Sequence, residues 1–95
     1  SRGLGDVYKR QMKKTGHYEV NVIGMRYEEA MNIVEKFLDD ALLLGYPSVR
    51  IVHGMGKGIL RNGIRKKLDH LSYVKEYRDG GPNEGGLGVT VVSFE

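Results

Sequence analysis

The sequence predicts an α/β fold, a two-layer βαβαββ sandwich of two helices packed on a four-stranded mixed sheet. Stretches with apolar residues at three- and four-residue steps alternate with short strand-like stretches, and a glycine-rich connection joins the last two strands. The two strand–helix–strand units predict right-handed crossovers between parallel early strands. The short last connection predicts an antiparallel hairpin. A length of 95 residues allows one small domain.

Residues 1–16 predict a flexible basic linker, because they show no helical or strand period and include three glycines. Five basic residues and one acidic residue give this segment a net charge of +4. Part of it has the look of a cloning scar, and a basic linker suggests a domain cut from the end of a larger protein. We expect the folded domain to span residues 17–95, where ten basic and eleven acidic residues give −1.

The first strand and the first helix have clear limits. Tyr18–Ile23 predicts the strand, because apolar and polar residues alternate before the pattern turns apolar, and Gly24 ends it. Residues 27–44 predict the helix, and Gly45 followed by Pro47 is typical of a helix end. The apolar face of this helix consists of Ala30, Val34, Phe37, Leu38, Ala41 and Leu44.

The rest of the chain continues the alternation. The sequence predicts in order a strand, a helix, a strand, a loop and a final strand at Ser48–His53, Ile59–Leu71, Tyr73–Arg78, Asp79–Gly88 and Val89–Phe94. The apolar face of the second helix consists of Leu60, Ile64, Leu68 and Leu71. Gly63 weakens that helix by about 1 kcal/mol relative to alanine, which indicates close packing at this position.

Composition excludes several classes of protein. The chain has no cysteine, so disulfides, thiolate zinc sites and cysteine nucleophiles are excluded and a reducing compartment is expected. No apolar run approaches the ~20 residues of a membrane span, and the start lacks a secretory signal, so we expect a cytoplasmic protein with no membrane partner. The three histidines are scattered without paired acids, so we expect no metal site.

Charges are sorted along the folded part of the chain. Residues 28–40 hold five acids and one lysine, whereas residues 50–67 hold six basic residues and no acid. A near-neutral domain with one basic face can bind polyanions. An ordinary solvated surface is the alternative explanation.

The glycine turn, His53–Gly58, is the strongest local signal for a binding site. It reads His-Gly-Met-Gly-Lys-Gly between a strand and a helix. Closely spaced glycines let backbone N–H groups converge on a ligand, and the start of a helix adds a positive dipole end. These features predict a phosphate cradle, although the spacing fits neither a Walker A loop nor a dinucleotide fingerprint. A tight turn that needs glycine only for its shape is the alternative.

His53 ends a strand at the mouth of this turn, where we expect it to be exposed at the carboxyl edge of the sheet. Its imidazole could donate to a phosphate or act as a general base, or it could be a structural histidine. Basic residues continue along the following helix: Lys57, Arg61 and Arg65 are spaced by four, and Lys66 and Lys67 adjoin them. This spacing can follow a phosphate backbone. The helix carries no aromatic residue, so little base recognition is expected.

With the glycine turn and Glu84–Thr90 near the end, the chain resembles an Smr domain, the small MutS-related domain at the C-terminus of bacterial MutS-like ATPases of the second type. The resemblance covers roughly residues 19–95, and residues 28–47 are close to the version that those ATPases carry. It implies a fold like the C-terminal domain of bacterial translation initiation factor three. It also implies nucleic-acid binding, nicking or cleavage, with roles in recombination control and ribosome rescue.

The resemblance suggests partners, and the glycine turn and the basic helix supply the expected site. The domain would bind DNA, RNA or the ribosome. We expect the isolated domain to be monomeric and the parent protein to be a homodimer. The domain itself is expected to need no cofactor, with ATP bound only by the parent ATPase. The expected nucleic-acid-binding residues are Gly54, Gly56, Lys57, Gly58, Arg61, Arg65, Lys66 and Lys67, and His53 is the candidate catalytic residue.

One departure from the family pattern bears on catalysis. The first family motif reads L-D-L-R/H-G, but residues 20–24 place Asn21 at the acid and Ile23 at the basic position. An amide cannot serve as a carboxylate base, so binding is favoured over cleavage. Two alternatives stay open. One is an endonuclease with His53 as general base and Lys57 or Arg61 stabilising the phosphorane charge; the other is a module that docks proteins or the ribosome through its acidic helix.

Overall fold

The computed structural model describes residues 18–95 and has the predicted βαβαββ order. Its strands are β1 (Glu19–Asn21), β2 (Ser48–Val52), β3 (Val74–Asp79) and β4 (Val89–Phe94), and its helices are α1 (Tyr27–Leu44) and α2 (Ile59–Asp69). A 3₁₀ turn at Gly86–Gly88 leads into β4. The predicted linker, residues 1–16, lies outside the described residues.

The sheet is mixed, as predicted, with the strand order β1-β2-β4-β3. β1 and β2 are parallel, while β4 runs antiparallel to both β2 and β3. β2 and β3 therefore point the same way, but β4 is inserted between them. The burial of each strand explains this order, because five of the six residues of β4 are buried whereas β3 exposes half of its residues. The apolar strand takes a central position, and the more polar strand forms an edge.

The core lies between the sheet and the two helices. The predicted face of α1 is buried at every position except Leu44, which packs at its edge, and Met31 joins it. α2 contributes Ile64 and Leu68 to the same core. Gly45 ends α1 in the left-handed conformation, with φ at 81°, and donates its N–H to the Leu42 carbonyl at 3.1 Å. A side chain other than glycine would be strained in this conformation.

The two helices approach each other at Gly63 on α2. A Cβ atom at this position would meet the ring of Tyr27 on α1, with the phenol oxygen 2.9 Å away. The close packing that the sequence predicts at Gly63 is therefore confirmed. No helix in residues 18–95 is long and apolar enough to cross a membrane.

β1 is shorter than predicted, and Asn21 explains where it ends. The Asn21 side-chain oxygen accepts the backbone N–H of Ile23 at 2.9 Å, which turns the chain away from the sheet. Val22 remains fully buried and donates its N–H to the Val52 carbonyl at 2.8 Å. α2 also ends earlier than predicted, at Asp69 rather than Leu71.

Candidate functional site

The carboxyl ends of β1 and β2 open into a cleft of about 520 Å³. Four parts of the chain line this cleft: the segment after β1, the start of α1, the glycine turn after β2, and the first turn of α2. The turn thus lies between a strand and a helix, as the sequence predicts. Among residues 18–95, the charged residues of the lining are Lys57 and Arg61, and none of the lining residues is acidic.

The backbone of the turn requires its glycines. Gly54, Gly56 and Gly58 have φ angles of 78°, 31° and 80°, in a region that side-chain-bearing residues rarely adopt. Gly54 also lies in a close contact, since a Cβ there would be 3.3 Å from the Ile23 side chain. Shape therefore accounts for these glycines. The resulting backbone is open to the cleft, and Gly58 places no side chain over the start of α2.

The N-terminus of α2 is electrostatically unlike that of α1. Neither helix has a side-chain cap among the described residues, but α2 has no acidic residue in its first turn, whereas α1 begins with Glu28 and Glu29. The first-turn N–H groups of a helix carry the positive end of its dipole. The cleft therefore combines a helix N-terminus with the full charges of Lys57 and Arg61, an arrangement that favours an anion.

His53 is buried, and the expectation that it would be exposed is wrong. Only 4% of its surface is accessible, because the chain segment before β4 covers it. The backbone N–H groups of His53 and Gly54 both donate to the Gly88 carbonyl at 3.0 Å. Gly88 can approach so closely because it lacks a side chain, since a Cβ there would be 3.4 Å from the Gly54 Cα atom.

The His53 ring is bonded through both nitrogens. Nδ1 lies 2.8 Å from the Gly54 carbonyl oxygen and Nε2 lies 2.8 Å from the Thr90 hydroxyl oxygen. A carbonyl can only accept, so Nδ1 carries the proton and Nε2 of a neutral ring accepts from Thr90. Burial lowers the pKa of His53, and the positive charges of Arg65 and Arg61 act in the same direction. The neutral imidazole therefore braces the turn.

Two of the predicted cations are paired with Asp79 at the end of β3. The Asp79 carboxylate accepts from Arg61 at 2.9 Å and from Arg65 at 2.6 Å, and these guanidinium groups lower its pKa. Arg65 also reaches the Thr90 hydroxyl at 3.3 Å and lies over the Tyr77 ring. Arg65 thus lies behind the cleft, while Arg61 belongs to both the cleft and the ion pair.

Lys66 and Lys67 do not join this group. They line a second cleft of about 350 Å³ between the helices, and Lys67 pairs with Glu35 at 3.3 Å. Successive helical residues are turned by about 100°, so positions five and six residues after Arg61 cannot share its direction. The basic residues therefore do not form one face, and the nucleic-acid-binding role of each remains a prediction.

The apolar part of the cleft was not predicted from the sequence. Ile23, Met55 and Ile59 line it with exposed side chains, and Tyr27 brings an aromatic ring from the start of α1. The sequence did hold one signal for this ring: Gly63 predicted close packing on α2, and the group that packs there is Tyr27. Asn21 is exposed but does not line the cleft. Among residues 18–95, no three histidine, aspartate or glutamate side chains are grouped to hold a metal.

Comparison with known proteins gives one consistent family. The Smr domain model matches residues 20–95. Endonuclease MutS2 of Halalkalibacterium halodurans is 61% identical over 76 residues, which is 80% of this chain and 10% of that protein. Endonuclease MutS2 of Staphylococcus epidermidis is 43% identical over 86 residues, 90% of this chain and 11% of that protein. The chain spans about a tenth of the length of these curated relatives.

Two solved structures share the fold. The Smr domain of Thermus thermophilus MutS2 superimposes with a TM-score of 0.78 at 40% identity, covering 81% of this chain and 96% of that one. YdaL, a stand-alone small MutS-related protein from Escherichia coli, gives a TM-score of 0.79 at 27% identity, covering 82% of this chain and 64% of that one. These structures confirm the predicted two-layer α/β architecture.

Proposed function

Because the chain belongs to the Smr domain family, we propose that it binds nucleic acid, with a phosphate held in the cleft at the glycine turn. The observation that carries this proposal is the charge of the cleft lining. Two cations and an uncapped helix N-terminus come together there, and no acidic side chain from the described part of the chain lines the same surface. Phosphates are the anions that such a combination of backbone N–H groups and point charges suits.

Each charged group has a distinct part in this proposal. Lys57 lies within the turn and is exposed, so its ammonium group can approach a phosphate in the cleft. Arg61 extends from the first turn of α2 and must share its guanidinium with Asp79. Contacts of this kind give affinity that falls steeply with salt and depends little on base sequence. DNA, RNA and the ribosome are accordingly the targets to compare, with recombination control or ribosome rescue as the wider role.

The test replaces Lys57 with alanine and compares it with Lys75→Ala. Lys75 is also an exposed lysine, and it lies on the edge strand β3, outside the cleft. Binding of labelled DNA and RNA is measured by fluorescence anisotropy over a range of salt concentrations. Lys57→Ala should reduce the slope of log K against log salt by up to about 0.9 for duplex DNA and about 0.7 for single strands. Equal slopes for the two variants would contradict the proposal.

Endonuclease activity is a second candidate, favoured by the name that both curated relatives carry. His53 would be its general base, with Lys57 or Arg61 stabilising the phosphorane charge. A neutral imidazole has the right protonation state, but Nε2 accepts the Thr90 hydroxyl and would have to release it first. Cleavage of end-labelled DNA and RNA by wild type and His53→Ala tests this candidate. Product formation that survives the His53 substitution would remove His53 from the reaction.

A further inference from the structure

Exposed apolar side chains are concentrated at the candidate cleft. Six large apolar or aromatic residues are exposed among residues 18–95, and four of them line this one cleft. Ile23, Met55 and Ile59 are 55%, 64% and 60% exposed, and Tyr27 is the fourth. Single exposed apolar residues are ordinary on protein surfaces, whereas a cluster marks a contact surface. A phosphate bound by charge alone would leave these side chains without a role.

The apolar groups form the walls of the cleft. Ile23 covers Gly54 on one side of the turn, and Ile59 begins α2 on the other. Met55 extends from the turn itself, two residues before Lys57. Tyr27 packs one part of its ring on Gly63 and still lines the cleft. A ligand in this space would therefore contact apolar carbon atoms and a cation at the same time.

We infer that the cleft binds single-stranded nucleic acid, with unpaired bases packed against the apolar walls and an adjacent phosphate on Lys57 and the start of α2. This inference rests on the proposed function and names its substrate class. In a duplex the base faces are stacked on one another, so only groove edges and the backbone are accessible. In a single strand the base faces are available for contact with apolar and aromatic side chains.

Charge and size support a polynucleotide as the occupant. The charges in the lining are positive, and each unpaired base of a single strand comes with a phosphate. A volume of about 520 Å³ falls within the usual range of ligand sites. Ile23 is 55% exposed and lines the cleft, so this edge offers apolar contact rather than charge. An acidic apolar peptide is the competing occupant, and the test below separates it.

The experiment compares three fluorescein-labelled probes by anisotropy with the full chain. The first probe is a 12-nucleotide single strand. The second is a hairpin in which this strand is paired with its complement through a loop. The third is the single strand with three central abasic sites. The abasic strand keeps every phosphate and loses only base contacts. We expect the intact strand to bind about fivefold or more tighter than the abasic strand. It should also bind tighter than the duplex, whose higher charge density would favour the duplex if charge alone acted.

Variants assign the base contacts to the cleft. Ile23→Ser and Met55→Ser should bring the affinity for the intact strand close to that for the abasic strand, with the salt slope unchanged. Leu43→Ser is the matched control, because Leu43 is 85% exposed on α1 and lies outside the cleft. Thermal unfolding of each variant establishes that it is folded. Ile23 and Met55 are both exposed, so neither substitution removes a core side chain. The two variants therefore test the apolar surface of the cleft independently.

The outcomes separate this inference from the proposed function. If all three probes bind equally and Lys57→Ala weakens each of them, the phosphate site stands and the inference is overturned. If Lys57→Ala changes none of them, the proposed function fails. If Ile23→Ser and Met55→Ser leave the discrimination against abasic strands intact, the walls do not contact bases. In that case the apolar surface serves a different partner, such as a peptide, and the inference is also overturned.

Discussion

Nε2 of His53 lies 2.8 Å from the hydroxyl oxygen of Thr90 on the central strand β4. Thr90 is fully buried, so this bond connects the glycine turn to the interior of the sheet. The same hydroxyl accepts from Arg65 at 3.3 Å. The turn that lines the cleft is therefore held by a buried polar chain as well as by its own backbone. A buried group left without its partner is costly, so the turn should be rigid as long as this chain is complete.

Replacing Thr90 by valine should destabilise the domain by about 1–3 kcal/mol, because it leaves Nε2 of His53 buried without a donor. The measurement is the free energy of unfolding from urea titration. Ser93→Ala is the control, since it removes a hydroxyl from a half-buried position on the same strand. If the two variants lost equal stability, the His53–Thr90 bond would not be an important brace.

Stability should decrease on acidification below about pH 6.5, because the pKa of His53 is lowered by burial. The unfolded chain then binds a proton more readily than the folded one. The contribution of His53 is fully present above the unfolded pKa and is lost as pH falls toward the folded pKa. The measurement is the urea midpoint between pH 7.5 and pH 5.5. His53→Gln, which cannot titrate, should show a flatter profile over the same interval, and an equally steep one would contradict the prediction.

The sequence determines the helices and the turn well, because their signals are local. The apolar period of α1, its glycine end and the glycines around Lys57 can all be recognised without knowledge of distant contacts. The insertion of β4 between β2 and β3 depends on pairing over long sequence separations. Only the nearly continuous apolar pattern of Val89–Phe94 indicates a central strand.

The candidate site was predicted less well, because it also depends on contacts between residues that are far apart in the sequence. His53 is buried by Gly88 and bonded to Thr90, which follow it by 35 and 37 residues in the sequence. The pairing of Arg61 and Arg65 with Asp79 joins α2 to the end of β3. No periodicity within a short window can show such contacts. The charge spacing along α2 therefore identified the right helix but not the direction of each side chain.

Asp79→Asn should strengthen nucleic-acid binding about two- to fivefold, because it releases Arg61 from an ion pair that is partly exposed. The slope of log K against log salt should become steeper, but by less than the amount expected for about one additional phosphate contact. Glu76→Gln is the control, since it removes one negative charge from an exposed position on the same strand. Anisotropy at several salt concentrations measures both quantities. Weaker binding by Asp79→Asn would show instead that Asp79 holds Arg61 in a productive position.

Gly54→Ala should weaken binding more than Gly45→Ala. Both glycines have nearly the same positive φ, 78° and 81°, so the backbone strain of alanine should cost each ~1–2 kcal/mol of folding stability. Only Gly54 belongs to the turn, where the new methyl group would also press on Ile23. Urea unfolding and anisotropy on the same samples separate the two effects. Equal losses of affinity would mean that the turn is not in contact with the ligand.

Asn21 bears on whether this chain can cleave nucleic acid. The chain should cut DNA and RNA feebly or not at all, because an amide stands where the resembled family motif carries a carboxylate. Its side-chain oxygen accepts the Ile23 N–H at 2.9 Å, and a carboxylate oxygen would accept the same bond. Asn21→Asp should therefore keep the local turn intact.

If a carboxylate at this position activates the nucleophile, Asn21→Asp should raise the rate of cleavage by about 10²–10⁴. Adding Ile23→Arg completes the family pattern and should raise cleavage further, while base contacts in the cleft decrease. Asn32→Asp, an exposed change on α1, is the charge-matched control. His53→Ala in the Asn21→Asp background should abolish the gained activity. Strong cleavage by the unmodified chain that persists in His53→Ala would show that neither residue carries the chemistry, and would direct the search to Lys57 and Arg61.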